Sequence, residues 1–169
     1  MTSRPGRGLA YPLPGPLRSI LPQRVPGERE KSRKSYPGRH LTIHDDRGIC
    51  SHAGFCTEGL KEVFREDGDP WIDPDGAQAA AIIATIAKCP SGALSYSIDG
   101  VETAERGGPP MVTVTNDGPY AVTGGVELAG VAFASGATRD HYTLCRCGAS
   151  KNKPFCDGSH WEIGFRDPA

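Results

Sequence analysis

The sequence is poor in apolar material. Hydrophobic residues make up 37% of its 169 positions and aromatic residues 7%, whereas 22 glycines and 15 prolines interrupt the chain. Such a chain buries little apolar surface per residue, so we expect cofactors or cross-links to contribute to its stability. The length suits one ordinary domain or two small ones.

Long apolar runs are missing. No segment approaches the ~18 apolar residues that cross a bilayer. The N-terminal stretch MTSRPGRGLAYPLPGPLRS also lacks the apolar core of ~7 to 15 residues that a secretory signal uses. We therefore expect a soluble, cytoplasmic protein with no membrane partner. In such a reducing compartment its six cysteines are expected to bind metal instead of forming disulfides.

Acidic residues are scarce at the N-terminal end. Residues 1–40 hold nine Lys and Arg against two acids, whereas residues 41–169 hold ten against eighteen. The acidic body argues against nucleic acid as a partner and is compatible with docking on basic protein surfaces. Residues 1–38, rich in Pro and Gly and without apolar periodicity, are predicted to be a disordered basic tail. A transit peptide is the alternative, which the prolines disfavour.

Apolar periodicity predicts an α+β protein of two small units. In residues 39–100, HLTIHD and LSYSI alternate as strands, while TEGLKEVF and GAQAAAIIATIAK show helical spacing, with Asp75 as the N-cap of the second helix. Residues 101–110 are predicted to be a linker. Residues 111–169 show short β segments separated by turn residues and form a β-rich unit. The cysteines divide three and three between the units, which favours two sites.

The second cysteine group is the stretch CRCGASKNKPFCDGSH. It offers four ligands to a metal: Cys145, Cys147, Cys156 and His160. Glycine and proline breaks let the loop turn back so that these side chains can converge. Spacing alone leaves two interpretations open, an iron-sulfur cluster or a tetrahedral zinc site.

The context of this stretch carries a family resemblance. Paired cysteines, a proline-containing spacer and C-D-G-S-H, preceded by G-P-Y and a V-x-L strand, resemble the CDGSH iron-sulfur domain of the mitoNEET proteins over about residues 111 to 167. The resemblance implies a 2Fe-2S cluster with Cys145 and Cys147 on one iron and Cys156 and His160 on the other. It also implies a β-rich fold that is often a homodimer, and it makes zinc the less favoured metal.

A histidine ligand has chemical consequences. Neutral imidazole in place of a thiolate removes one negative charge, which raises the reduction potential relative to an all-cysteine site. Imidazole also exchanges a proton, so we expect the potential and the retention of the cluster to depend on pH. The basic residues Arg146, Lys151 and Lys153 would raise the potential further; the alternative is that they are solvated turn charges.

The first cysteine group consists of Cys50, Cys56 and the distant Cys89. The bacterial ferredoxin run places cysteines at i, i+3 and i+6 with a remote Cys-Pro, and here Ala53 occupies the i+3 position. The alternative to a cluster site is three unrelated thiols. No role follows for His40, His44 and His141, which lack ligand-like neighbours in sequence.

The segment from about residue 40 to 99 resembles the divergent single-cluster ferredoxins, in which C-x5-C and a later C-P-S/T-G-A-L flank a helix. The resemblance implies electron transfer through a 3Fe-4S or 4Fe-4S cluster held by Cys50, Cys56 and Cys89. Because Ala53 cannot coordinate iron, either one corner is vacant, giving 3Fe-4S, or His52, a water or an external ligand fills it.

The two groups together predict a function. No phosphate loop or nucleophile motif accompanies the cysteines, so we expect no enzymatic activity. The leading hypothesis is a soluble one-electron carrier that exchanges electrons with a protein redox partner. The alternatives are a protein for iron-sulfur cluster transfer or redox and pH sensing, and a zinc-binding interaction module with a basic tail that contacts nucleic acid.

Overall fold

The computed structural model of the chain describes residues 33–103, 106–133 and 137–168. Within these residues seven strands form two antiparallel sheets, accompanied by three short helices. The predicted α+β class is confirmed. Most of the predicted disordered tail, residues 1–32, lies outside the described residues. No helix in the described part of the chain is long and apolar enough to cross a membrane.

The first sheet has four strands in chain order: β1 (Arg33–Pro37), β2 (Thr42–Asp46), β3 (Leu94–Ile98) and β4 (Val101–Thr103). The predicted strands near 40–45 and 94–98 correspond to β2 and β3. By contrast, β1 lies inside the predicted tail and β4 inside the predicted linker. Neither strand alternates apolar and polar residues; instead the Arg33 guanidinium on β1 bonds the Glu102 carboxylate on β4, and Ser95 on β3 also donates to Glu102 at 2.8 Å.

Two helices follow the strand β2. Helix α1 (Phe55–Gly59) is shorter than the helix predicted over 57–64, because the chain turns after Gly59 while still burying Val63 and Phe64. Helix α2 (Ala79–Ile86) begins with Gln78 as its N-cap.

The predicted N-cap of α2, Asp75, is wrong. Its Oδ1 atom accepts a hydrogen bond from the backbone N–H of Arg39 at 2.9 Å, so the carboxylate holds the turn between β1 and β2 instead of a helix end. The N-cap residue Gln78 makes no side-chain capping hydrogen bond.

The first core lies between the sheet and α2. Its buried members are Leu41, Ile43, Val63, Phe64, Ile72, Ile82, Ile86 and Leu94. The side chains of Cys56 and Cys89 are half-buried and pack against this core, so two of the three thiols of the first cysteine group are positioned by it.

The second sheet contains β5 (Met111–Val114), β6 (Tyr120–Thr123) and β7 (Tyr142–Leu144), followed by helix α3 (Ser159–Glu162). Its smaller core consists of Val122, Tyr142 and Phe155, with the Phe133 ring stacked edge-on against both aromatic neighbours. The predicted V-x-L strand at 126–128 is wrong: these residues form an irregular segment that packs its apolar side chains on the core.

Candidate metal centres

The first cysteine group lines one cavity of about 230 Å³. Three elements bring the sulfurs to it: Cys50 follows a 3-10 turn, Cys56 lies in the first turn of α1, and Cys89 comes shortly after α2 ends. His52 and Ala53 line the same cavity. The structure thus assembles the three predicted thiols around a space, as a multi-iron cluster requires.

Hydrogen-bond donors surround the sulfur atoms of this group. The Sγ atom of Cys50 accepts the backbone N–H of His52 at 3.4 Å and lies 3.9 Å from the guanidinium of Arg47. The Cys56 sulfur is bonded by the backbone N–H of Thr57, and the Cys89 sulfur lies 3.7 Å from the Ser91 hydroxyl. Donors of this kind stabilise thiolate charge and tune the potential of an iron-sulfur cluster.

The protonation chemistry of these thiols also fits a metal cofactor. Burial raises the pKa of Cys56 to about 11, and the neighbouring Cys89 adds to the effect. Burial likewise raises the pKa of Cys50. Both groups would remain neutral thiols at physiological pH, so a bound cation is needed to hold them as thiolates and would displace their protons.

His52 occupies an unusual position beside this cavity. Its backbone φ is +53°, in the left-handed region that a non-glycine residue rarely adopts. Its side chain is exposed on one side, and its ring and Cβ lie against Gly158 of the other cysteine group. The iron-ligand role suggested for His52 stays a prediction.

Sequence reasoning missed Asp45 as a neighbour of the first site. Its side chain is only 2% exposed, lines the cavity, and lies 3.5 Å from the Arg47 guanidinium. Burial raises its pKa to about 6. The signal was present in the alternation of β2, which places Asp45 on the same face as Leu41 and Ile43.

The second cysteine group forms two close pairs. The Sγ atoms of Cys145 and Cys147 are 3.9 Å apart, and the Sγ atom of Cys156 lies 3.4 Å from Nδ1 of His160. Among the described residues, no group of three or more His, Cys, Asp or Glu side chains is arranged to hold one metal ion. The four donor atoms of the predicted set thus form one cysteine pair and one cysteine–histidine pair.

The ligand loop is fixed to β7 at both ends. The backbone N–H of Cys145 donates to the Pro154 carbonyl at 2.8 Å, and the N–H of Cys156 donates to Thr143 at 3.0 Å. Inside the loop the Asp157 carboxylate accepts bonds from the backbone N–H of Lys151 at 2.8 Å and the hydroxyl of Ser159 at 2.6 Å. These contacts position the C-D-G-S-H turn and its two ligand side chains.

The titrating groups of this loop suit a metal as well. Burial raises the pKa of Cys156 to about 11, opposed by the backbone N–H of Gly158, which bonds its sulfur. Burial lowers the pKa of His160, and the nearby His52 acts in the same direction. A neutral imidazole beside a thiol that needs a cation is the protonation state a mixed cysteine and histidine site requires.

Arg146 is not a solvated turn charge. Its guanidinium donates to the carbonyls of Gly118 at 2.7 Å and Thr115 at 2.8 Å, and pairs with both oxygens of Asp167. Only 12% of its side chain is exposed. Arg146 therefore anchors the β5–β6 turn and the C-terminal segment.

The two cysteine groups are held together by contacts between the units. The Asn152 side chain donates to the Gly48 carbonyl at 2.6 Å. His141, to which the sequence assigned no role, is buried, lies 3.3 Å from Asp140 and also hydrogen-bonds the backbone of Cys89. The loop that carries Cys89 is thus tied to the second unit.

This fold and these two sites define an iron-sulfur protein. Residues 36–99 match the family described as divergent 4Fe-4S mono-cluster, and residues 117–161 match the family described as iron-binding zinc finger CDGSH type. The chain therefore joins a divergent 4Fe-4S mono-cluster domain to a CDGSH-type domain, and both resemblances seen in the motifs are confirmed.

Curated relatives match the first domain. Over 63 residues the chain is 36% identical to the uncharacterized protein YjdI of Escherichia coli strain K12 and to its counterpart in Escherichia coli O157:H7. Each alignment covers 37% of this chain and 83% of the relative. No solved structure matches the chain.

Proposed function

We propose that the chain is a one-electron carrier with two clusters. Cys50, Cys56 and Cys89 would hold a 3Fe-4S or 4Fe-4S cluster, and the two pairs of the C-terminal loop a 2Fe-2S cluster. Such clusters accept and release one electron at a time. The observation that carries the proposal is the presence, in one chain, of two groups of converging thiols inside two matched iron-sulfur domains.

The exposure of the sulfurs supports electron exchange with another protein. The cysteines of the first group, together with Cys145 and Cys147, are half-buried, whereas Cys156 is buried. Half-buried ligands bring a cluster near the surface while the protein still excludes most water from it. We infer that the partner is a redox protein, that the chain itself catalyses no reaction, and that it works in the cytoplasm.

The type of the first cluster depends on whether a fourth ligand accompanies Cys50, Cys56 and Cys89. The ring of His52 lies against Gly158, while its backbone N–H bonds the Cys50 sulfur. This orientation supports a vacant corner or an external ligand. Electron paramagnetic resonance of the oxidised protein separates the two types, because an oxidised 3Fe-4S cluster is paramagnetic and an oxidised 4Fe-4S cluster is not.

The proposal is tested by following electrons and iron separately. Anaerobically purified protein is mixed with a reduced ferredoxin, and bleaching of its visible absorption is timed. It is then mixed with an apo-ferredoxin, and transfer of iron is measured. Fast bleaching with slow iron transfer supports the carrier, whereas iron transfer faster than electron exchange contradicts it. A Cys145→Ser, Cys89→Ser double variant is the control without intact sites.

Cluster transfer or redox sensing is the second candidate function. The single histidine ligand favours it, because imidazole is lost on protonation more readily than a thiolate. The burial of Cys156 at 3% and His160 at 4% exposed opposes it, since the pair that would have to open is the least accessible one. A colourless protein that binds zinc but neither iron nor sulfide would contradict both candidates.

A further inference from the structure

His52 is the residue in which the two ligand loops meet. It follows Cys50 of the first site by two positions, and its side chain lies on Gly158, two positions before His160 of the second site. The two loops are separated by about a hundred residues in sequence. Their contact is therefore a property of the fold.

The backbone of His52 binds it to the first site. Its N–H donates to the Cys50 sulfur at 3.4 Å, and its left-handed φ of +53° turns the side chain of the same residue toward the second unit. Left-handed backbone is unfavourable for a residue such as histidine, so the surrounding contacts hold it there. One residue thus offers a sulfur contact through its backbone and a second contact through its ring.

The other half of the contact depends on Gly158 being glycine. A Cβ atom at this position would come within 2.8 Å of Cδ2 of His52 and within 3.1 Å of its Cβ and Cγ. The glycine, at φ +88°, lets the imidazole lie directly on the backbone of the turn. The N–H of the same Gly158 bonds the sulfur of Cys156.

The contacts between the units keep this arrangement in place. Asn152 bonds the Gly48 carbonyl just before Cys50, and His141 bonds the backbone of Cys89. At Gly92, φ is +69° and an added Cβ would collide with Thr138 of the second unit. The two ligand loops therefore form one packed junction instead of two tethered sites.

We propose that His52 connects the two sites into one redox unit, giving an electron a contact route from Cys50 through His52 and Gly158 to Cys156. The inference rests on the proposed carrier function. An external one-electron donor supplies the electron to the first site. With both clusters bound, the first site would lose one electron as the second gains one, and no covalent bond would be broken. We assign the acceptor role to the second site, because an imidazole in place of a thiolate raises its potential relative to an all-cysteine 2Fe-2S site.

The first test uses the wild-type chain. With both sites reduced, their electron paramagnetic resonance signals should show mutual broadening and faster spin relaxation. A Cys89→Ser variant, which has lost a ligand of the first site, should show the second signal without this interaction. Identical signals in the two proteins would overturn the proposal, because the sites would then be too far apart for a direct contact route.

The second test changes the route itself. His52→Asn keeps the backbone N–H and a residue type that tolerates left-handed φ, but removes the ring that lies on Gly158. His40→Asn, on the exposed turn between β1 and β2, is the matched control. After mixing with less than one equivalent of dithionite, freeze-quenched samples should show severalfold slower arrival of the electron at the second site in His52→Asn only.

Two results would overturn the proposal at this stage. Equal transfer rates in wild type and His52→Asn would exclude the ring as part of the route. If His52→Asn lost iron from the first site while His40→Asn kept all of its iron, the imidazole of His52 would be an iron ligand and not part of the electron route between the sites. Electron exchange with an external ferredoxin is measured separately. A protein that fails this exchange but still transfers electrons between its two sites would contradict the carrier function and leave the proposed route standing.

Discussion

The Sγ atom of Cys156 and the Nδ1 atom of His160 lie 3.4 Å apart, and both side chains are buried. Replacing His160 by cysteine should therefore place a second thiolate at a position already shaped for a ligand. The added negative charge should lower the reduction potential of the second site, and the loss of imidazole should make its cluster more resistant to acid. A redox titration followed by visible absorption measures the first effect, and bleaching at pH 5 the second.

The control for this change is His40→Cys, which adds a thiol on an exposed turn outside both sites. It should leave the potential and the acid sensitivity as in the wild type. If His160→Cys left the potential unchanged while iron content stayed full, His160 would not be a ligand.

The two sites should lose iron independently. Cys89 packs against the first core and lines the first cavity, whereas Cys145 follows strand β7 on the second core. Cys89→Ser should therefore retain about two irons per chain with the spectrum of a 2Fe-2S site, and Cys145→Ser should retain only the signal of the first site. Iron and sulfide analysis with electron paramagnetic resonance measures both. Loss of all iron in either variant would contradict two separate sites.

Ligand positions could be predicted from the sequence because cysteine, glycine and proline mark metal loops at short spacing. Strand β3 was predictable because LSYSI alternates apolar and polar residues, although in the folded chain Ser95 and Ser97 are buried and Ile98 is exposed. Strands β1 and β4 were not. Their residues are polar or exposed, and a side-chain bond between Arg33 and Glu102, 69 residues apart, helps to join the sheet.

The contact between His52 and Gly158 also joins residues that are far apart in sequence, so it could not be predicted. Gly158 reads in sequence as a turn residue of the C-D-G-S-H motif, and nothing local shows that a histidine 106 positions earlier lies on it. Asp45 differs, because the alternation of Leu41, Ile43 and Asp45 places it inward and a charge on a buried face is itself a signal.

Asp45 should make the stability of the first unit depend on pH. Burial raises its pKa from 3.8 to about 6, so the folded chain holds an extra proton between these values. The contribution of this group to stability therefore falls as the pH rises from about 4 to 6, and the loss persists above that range. A shift of about two units corresponds to at most about 3 kcal/mol.

The variant Asp45→Asn should abolish this dependence. The free energy of unfolding in urea is measured for both proteins. The value for Asp45→Asn minus the value for the wild type should increase as the pH is raised from 4 to 7.5. Asp99→Asn on the exposed turn between β3 and β4 serves as the control, because it removes a carboxylate without changing a buried site. A difference between Asp45→Asn and wild type that does not vary with pH would mean that Asp45 titrates normally in the folded chain.

Arg146 should stabilise the second unit through the shape of its guanidinium and not through its charge alone. Lysine keeps the charge but cannot bond the carbonyls of Gly118 and Thr115 while also pairing with both oxygens of Asp167. Arg146→Lys should therefore lower the midpoint of thermal unfolding. The midpoint is measured from the loss of visible absorption on heating.

The matched control for Arg146→Lys is Arg166→Lys. Arg166 pairs with Asp117 at 3.8 Å on the surface with 64% of its side chain exposed, and exposed ion pairs contribute little to stability. Its midpoint should stay close to that of the wild type, and the potential of the second site should be the same in all three proteins, because the Arg146 side chain bonds Gly118, Thr115 and Asp167. Equal midpoints in the two variants would contradict a role for the shape of the guanidinium, and a shifted potential in Arg146→Lys would contradict a purely structural role away from the cluster.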